Sequence, residues 1–146
     1  MNHHLQQLAP DMFSSLKLAD ESHLQTPCLR VCEYAASSNG LNEANANEAL
    51  DMLRQGKRYS HDLKDRLGAL TDQLDEYYFQ LKEQADEAVD SADRERFTSE
   101  YRDYFGKARA LAALSFAGGQ DGFEAATEAI YEAGASVADG TLFLTL

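Results

Sequence analysis

Leucines and one tyrosine recur at intervals of four and three through the middle of the chain: Leu63, Leu67, Leu70, Leu74, Tyr77 and Leu81. Such alternation places one apolar seam along a long helix. A polar break, Asp90-Ser91-Ala92-Asp93, separates it from a second seam of Phe97, Tyr101, Tyr104, Ala108 and Leu111. Two helices joined by so short a break must run antiparallel. Folding the chain about position 91 sets Ala85 opposite Phe97, Leu81 opposite Tyr101 and Leu74 opposite Ala108. At two of these three levels a small residue meets a large one, as interdigitating seams require. The pattern predicts an all-α protein, a helical bundle built on a long antiparallel helical hairpin (about 61–89 and 92–116) with shorter helices packed around it.

The flanks read as those shorter helices. Met12, Phe13, Leu16 and Ala19 repeat at helical spacing and predict a helix over about 11–20. Pro27 suits the first turn of a helix, which makes Thr26 the expected N-cap of a segment carrying Cys28, Leu29, Val31, Cys32 and Tyr34. Ser37-Ser38-Asn39-Gly40 reads as a loop. Ala46, Ala49, Leu50 and Leu53 predict a helix over about 42–55 that Gly56 stops, and Ser60 caps the long helix that follows. Gly68 inside that helix costs about 1 kcal/mol against alanine, and is expected to admit a close neighbour. Gly118-Gly119 ends the returning helix, and Phe123, Ala126, Ile130, Tyr131 and Gly134 mark a last one over about 121–135. Beyond it, Thr141 to Leu146 form an apolar tail containing Phe143, expected to dock on the bundle or on a partner. The whole is expected to be a single helical domain, 1–146, with 1–25 as a loosely packed arm and short helix.

Charge narrows the choice of partner. A net charge of -12 argues against binding to a nucleic-acid backbone or an anionic membrane surface, both of which need clustered Lys and Arg. It serves solubility, or steers the molecule toward a basic protein. No apolar run approaches the roughly 20 residues of a membrane-spanning helix. The first residues lack the basic flank and apolar stretch of a secretory signal, so a cytoplasmic location is expected, with Cys28 and Cys32 as reduced thiols.

Candidate chemistry comes from three groups. Tyr77, Tyr78 and Phe79 should face Tyr101, Tyr104 and Phe105 across the hairpin. Three consecutive aromatics cannot all face one helix, so at least one of Tyr78 and Phe79 is expected to look toward another surface covered by a second helix or chain, and both are candidate partner-binding residues. Glu124, Glu128 and Glu132 form a stripe on the last helix, with no Lys or Arg following Arg109 in the chain. That stripe is expected to face solvent or a basic partner, and with Phe143 it completes the candidate binding residues. Across the hairpin, acids such as Asp72 and Asp75 are expected to pair with Arg94, Arg96, Arg102, Lys107 and Arg109.

His23, Cys28 and Cys32 are the weak candidates for a metal site; Glu-x-x-His is missing from the sequence and Cys-x3-Cys is a poor zinc spacing, so no metal or cofactor is expected. The run Thr26-Pro27-Cys28-Leu29-Arg30-Val31-Cys32, followed by Gly40-Leu41, resembles the opening of a short bacterial four-cysteine family of unknown function. That family continues Gly-Leu-Cys-x2-Cys; Asn42 and Asn45 stand at the second cysteine pair here, so the resemblance implies no cluster or zinc site. No nucleophile elbow or phosphate-binding glycine loop is present, and catalysis is not expected. The sequence thus predicts a small acidic helical protein that binds another protein non-covalently, as an adaptor, regulator or immunity-type inhibitor, and forms a homodimer. The alternative is a ligand- or metal-binding bundle, enzymatic in the stronger form, using the tyrosine cluster with Cys28, Cys32 and His23.

Overall fold

A computed structural model describes residues 6–7, 9–19, 21–119 and 122–137, with backbone alone at 21–23. Its helices are α1 (Pro10–Leu18), α2 (Glu21–Ser38), α3 (Ala44–Arg54), α4 (His61–Glu87), α5 (Ser91–Ala117) and α6 (Gly122–Val137). The fold is an all-α bundle on a long hairpin, as the seams predict.

Local chemistry sets the ends of these helices. Ser60 Oγ accepts the Leu63 N–H at 3.1 Å and opens α4. The Asp90 carboxylate accepts the Ala92 N–H at 3.0 Å and opens α5, so the polar break is an N-cap with little loop to spare. Gly40 and Gly56, at φ of 60° and 66°, terminate α2 and α3 in the left-handed region that glycine tolerates best. In each case the next N–H turns back to a carbonyl five residues earlier, Leu41 to Ala36 and Lys57 to Met52, both at 2.9 Å.

The hairpin keeps the register expected from folding about residue 91. Tyr77 meets Tyr104 with ring centroids 4.6 Å apart, Tyr78 meets Phe105 at 5.3 Å, and Asp75 meets Arg109 at 2.7 Å. Each helix holds 27 residues, a length of about 40 Å.

In the first half of the hairpin, Leu63 and Leu67 of α4 with Ala110, Leu111, Ala113 and Leu114 of α5 join the main core. That core also takes Phe13 and Leu16 of α1, Leu24, Val31 and Cys32 of α2, Ala46 and Leu50 of α3, and Ala126 and Ile130 of α6. The second half leaves it. There the buried side chains of α4 are Tyr78, Leu81 and Ala85, none of them part of the main core, and the two helices run on as an arm.

Gly106 marks where body becomes arm. A Cβ at this position would collide with Asn39 Oδ1 and come within 3.1 Å of the Ser136 carbonyl, so α2, α5 and α6 converge on a residue without a side chain. By contrast, a Cβ at Gly68 would meet nothing within 4 Å. The expected close neighbour is not there.

Two further expectations are corrected. Pro27 lies inside α2 rather than at its start, and Thr26 is a helical residue rather than an N-cap. The missing Pro27 N–H leaves the carbonyl of residue 23 without its helical bond. Continuing the helix past that gap carries Leu24 into the core, where it is 4% exposed. Ser37 and Ser38 likewise extend α2 instead of forming a loop.

The last helix, α6, lies between α2 and α5 and buries Ala125, Ala126, Ala129, Ala133 and Gly134. Small side chains on several faces let two neighbours approach at once.

Candidate interaction surface on the hairpin arm

The aromatic residues of the arm divide by exposure. Tyr78 is buried, standing edge-on to Phe105 and tilted against Tyr101 at 5.7 Å. Its neighbours in sequence flank it on the outside: Tyr77 is 48% exposed and Phe79 55%. Helical geometry forces this split, because consecutive side chains diverge by about 100°. Phe79 stacks on Tyr78 at 4.6 Å with 29° between the ring planes, so its inner face is packed and its outer face open. Tyr77 rests on Tyr104, over which Lys107 Nζ lies 5.6 Å from the ring centre.

The seam therefore reaches this level at Tyr78, not Tyr77. A strict 3.5-residue repeat drifts by about 20° per heptad on a straight helix. Two heptads after Leu63 that drift passes the inward direction from residue 77 to residue 78. Of the two residues expected to face a partner, Phe79 presents an open ring and Tyr78 belongs to the hairpin core.

Directly behind the aromatics sits a charged knot. Arg109 Nη2 donates to both carboxylate oxygens of Asp75, at 2.7 and 2.9 Å, while Nη1 donates to Glu132 Oε2 at 3.0 Å. One guanidinium thus ties α4, α5 and α6 together. Burial pushes the Glu132 carboxyl above its usual range, against the opposing pull of Arg109. Tyr78 is likewise pushed up, first by burial and then by Asp75. Arg109 Nε is buried with no partner among the described residues.

This knot divides the glutamate stripe. Glu132 is 9% exposed and faces inward to Arg109, while Glu124 and Glu128 are half-buried. The expectation of a stripe without compensating cations is corrected: the cation comes from α5, 23 residues earlier in the chain. The crossing pair Asp75–Arg109 is of the kind expected along the hairpin. Arg96 instead pairs within its own helix with Asp93, and Arg94 donates to the Ala88 carbonyl at the turn.

Beyond the aromatics the arm is acidic. Glu76, Glu83, Asp86, Glu87 and Asp90 are exposed on its outgoing side, and Lys82 is the only cation between Asp72 and Asp90. Val89 at the turn is 99% exposed.

The remaining candidates lie elsewhere. Cys28 and Cys32 are free thiols buried in the core, well away from the arm. The side chain of His23, and Phe143 with the apolar tail, lie outside the described residues. Among the described residues, no group of three or more His, Cys, Asp or Glu side chains is placed to hold a metal ion. No described helix is long and apolar enough to cross a membrane.

A cavity of about 370 Å³ opens beside α2, lined by Leu24, Gln25 and Cys28 and by Lys57 and Arg58 of the α3–α4 connection. Its far wall includes Gly118, where any side chain would strike the ring of Tyr59. No local pattern in the sequence marks this cavity, because its walls come from four separate stretches of chain. No protein-family model, curated protein or solved structure matches the chain.

Proposed function

We propose that the protein acts by binding other protein surfaces through the aromatic arm, and that it pairs with a second copy of itself there. The observation behind this is the outward pair Tyr77 and Phe79, both about half exposed, on a two-helix arm that the main core does not reach. Rigid aromatics backed by a packed ring are the side chains that most often dominate binding energy at interfaces. Laying two arms side by side would form a four-helix bundle and cover both open rings.

The acidic flank of the arm gives a second element. Glu83, Asp86 and Glu87 favour a basic partner surface, and this preference belongs to the arm rather than to α6, where Glu132 is already paired. Charge there sets the rate and selectivity of association more than its strength.

Light scattering at tens of micromolar tests self-association, with Phe79→Asp beside the wild-type chain. A dimer that becomes a monomer in the variant, with unchanged helical content, supports the proposal. A monodisperse wild-type monomer overturns the pairing. For a basic partner, capture at low and then high salt should lose the bound protein when Glu83, Asp86 and Glu87 are changed to glutamine. Equal retention by that variant removes the electrostatic element.

A further inference from the structure

Cys28 and Cys32 lie four residues apart on one face of α2, both as free thiols and both deep in the body. Their exposures are 5% and 0%. The environments of the two nevertheless differ. Cys28 forms part of the wall of the 370 Å³ cavity, whereas Cys32 stands behind it in the core. The neighbouring Cys28 thiol, with burial second, pushes the Cys32 pKa well above its ordinary value. Cys32 therefore keeps its proton. On the cavity side, Lys57 and Arg58 are exposed, and neither forms an ion pair among the described residues.

We propose that Cys28 and Cys32 are a redox dithiol, oxidised to a disulfide by a hydroperoxide that enters the cavity over Cys28. The roles follow from position. Cys28 is the attacking sulfur because it lines the cavity, on the same wall as Lys57 and Arg58, where an entering oxidant meets it before Cys32. Cys32 is the resolving sulfur. A pair suits this chemistry, since two-electron oxidation requires two thiols, whereas a structural metal site requires further ligands.

Cys28 gives up its proton, and its sulfur attacks one oxygen of the hydroperoxide. The O–O bond breaks and the other oxygen leaves as an alcohol, carrying that proton, so Cys28 becomes a sulfenic acid. The Cys32 sulfur then attacks Cys28 Sγ. The S–O bond breaks, and the hydroxyl leaves as water with the Cys32 proton. Two thiols have lost two electrons, and one hydroperoxide has become one alcohol and one water.

Helix geometry gives the oxidation a structural consequence. Side chains four apart hold their Cβ atoms about 5–6 Å apart, and a disulfide needs about 3.5–4.5 Å. Closing the bridge must therefore tighten the turn from Cys28 to Cys32. Pro27 has already removed the helical bond just before this turn, so α2 meets the change at its weakest point. Oxidation is thereby coupled to the packing of α2 against α6.

The test treats the native full chain with hydrogen peroxide or tert-butyl hydroperoxide, then counts free thiols and measures intact mass. The expected product carries no intermolecular disulfide, lacks both thiols and has lost two hydrogens per chain. Cys32→Ser should stop at a sulfenic acid on Cys28 that dimedone traps, and Cys28→Ser should keep its remaining thiol. The proposal is overturned if both wild-type thiols survive under native conditions, or if they react only as fast as the chain unfolds. Equal reactivity of Cys28→Ser would overturn the assignment of roles. Because the first readout uses the unaltered protein, it stands even if a variant fails to fold.

Discussion

Arg109 and Glu132 meet at 3.0 Å although 23 residues separate them, and the same guanidinium holds Asp75 of the opposite hairpin helix. Replacing Arg109 by methionine keeps most of the apolar stem but leaves two carboxylates facing each other with no cation between them. A fully buried pair broken in this way costs about 3–5 kcal/mol. The knot is partly open to water, so Arg109→Met should lose about 2–3 kcal/mol, read as a lower urea midpoint with an unchanged slope. A loss within a few tenths of a kcal/mol would mean that the knot contributes nothing to holding α6.

The same knot predicts a pH dependence. Burial raises the Glu132 pKa in the folded state, so the native chain holds this proton at pH values where the unfolded chain has released it. The linked stabilisation is complete below the unfolded glutamate pKa of about 4.3 and is lost as pH rises through the folded value. Glu132→Gln removes that loss while keeping an acceptor for Arg109. Relative to the variant, the wild-type chain should therefore become less stable as pH rises from 4 toward 7. Parallel curves for the two chains would show that the ion pair fully offsets the burial.

Two glycines should respond to alanine with opposite signs. Gly68→Ala adds a methyl where nothing lies within 4 Å, and should gain about 0.5–1 kcal/mol from helix propensity. Gly106→Ala drives the same methyl into Asn39 and the Ser136 carbonyl, and overpacking of this kind costs about 1–3 kcal/mol. Asn39→Ala should restore part of the loss by removing one of the two obstacles. If Gly106→Ala instead raises the melting temperature, the three helices do not converge there as described.

Tyr59 supplies a fourth expectation. Its hydroxyl donates to the Leu114 carbonyl at 2.8 Å in a buried setting, and burial pushes its pKa well above the ordinary value. Tyr59→Phe leaves that carbonyl without its partner and should cost about 1–2 kcal/mol in denaturant unfolding. No change would mean that water reaches the carbonyl in place of the hydroxyl.

What the sequence disclosed follows from how local each cause is. Ser60 and Gly56 act within a few residues of themselves, and their cap and turn stand where the chain suggests. The hairpin register was also legible, because two seams and one short break leave a single way to fold back. Three features were not. Tyr78 replaces Tyr77 in the seam through a drift that accumulates over several turns. Pro27 is tolerated mid-helix because Leu24, on its far side, gains a buried position. Glu132 finds its cation on another helix, and the spacing of glutamates along α6 contains no trace of it. Each of these depends on what lies opposite, which a single helix does not encode.

Tyr59 precedes the first turn of α4 and Leu114 belongs to the last turn of α5, so their bond clasps the hairpin at the end away from its turn. The long pair is built in at that root, and Arg109 braces it partway along. Mechanically it is a cantilever. A force applied at Val89 has its greatest leverage on the anchored root, and Gly106 is the slender section it must cross. Bending should therefore concentrate there, passing any load on the tip to Asn39, just past the end of α2, and to Ser136, near the end of α6.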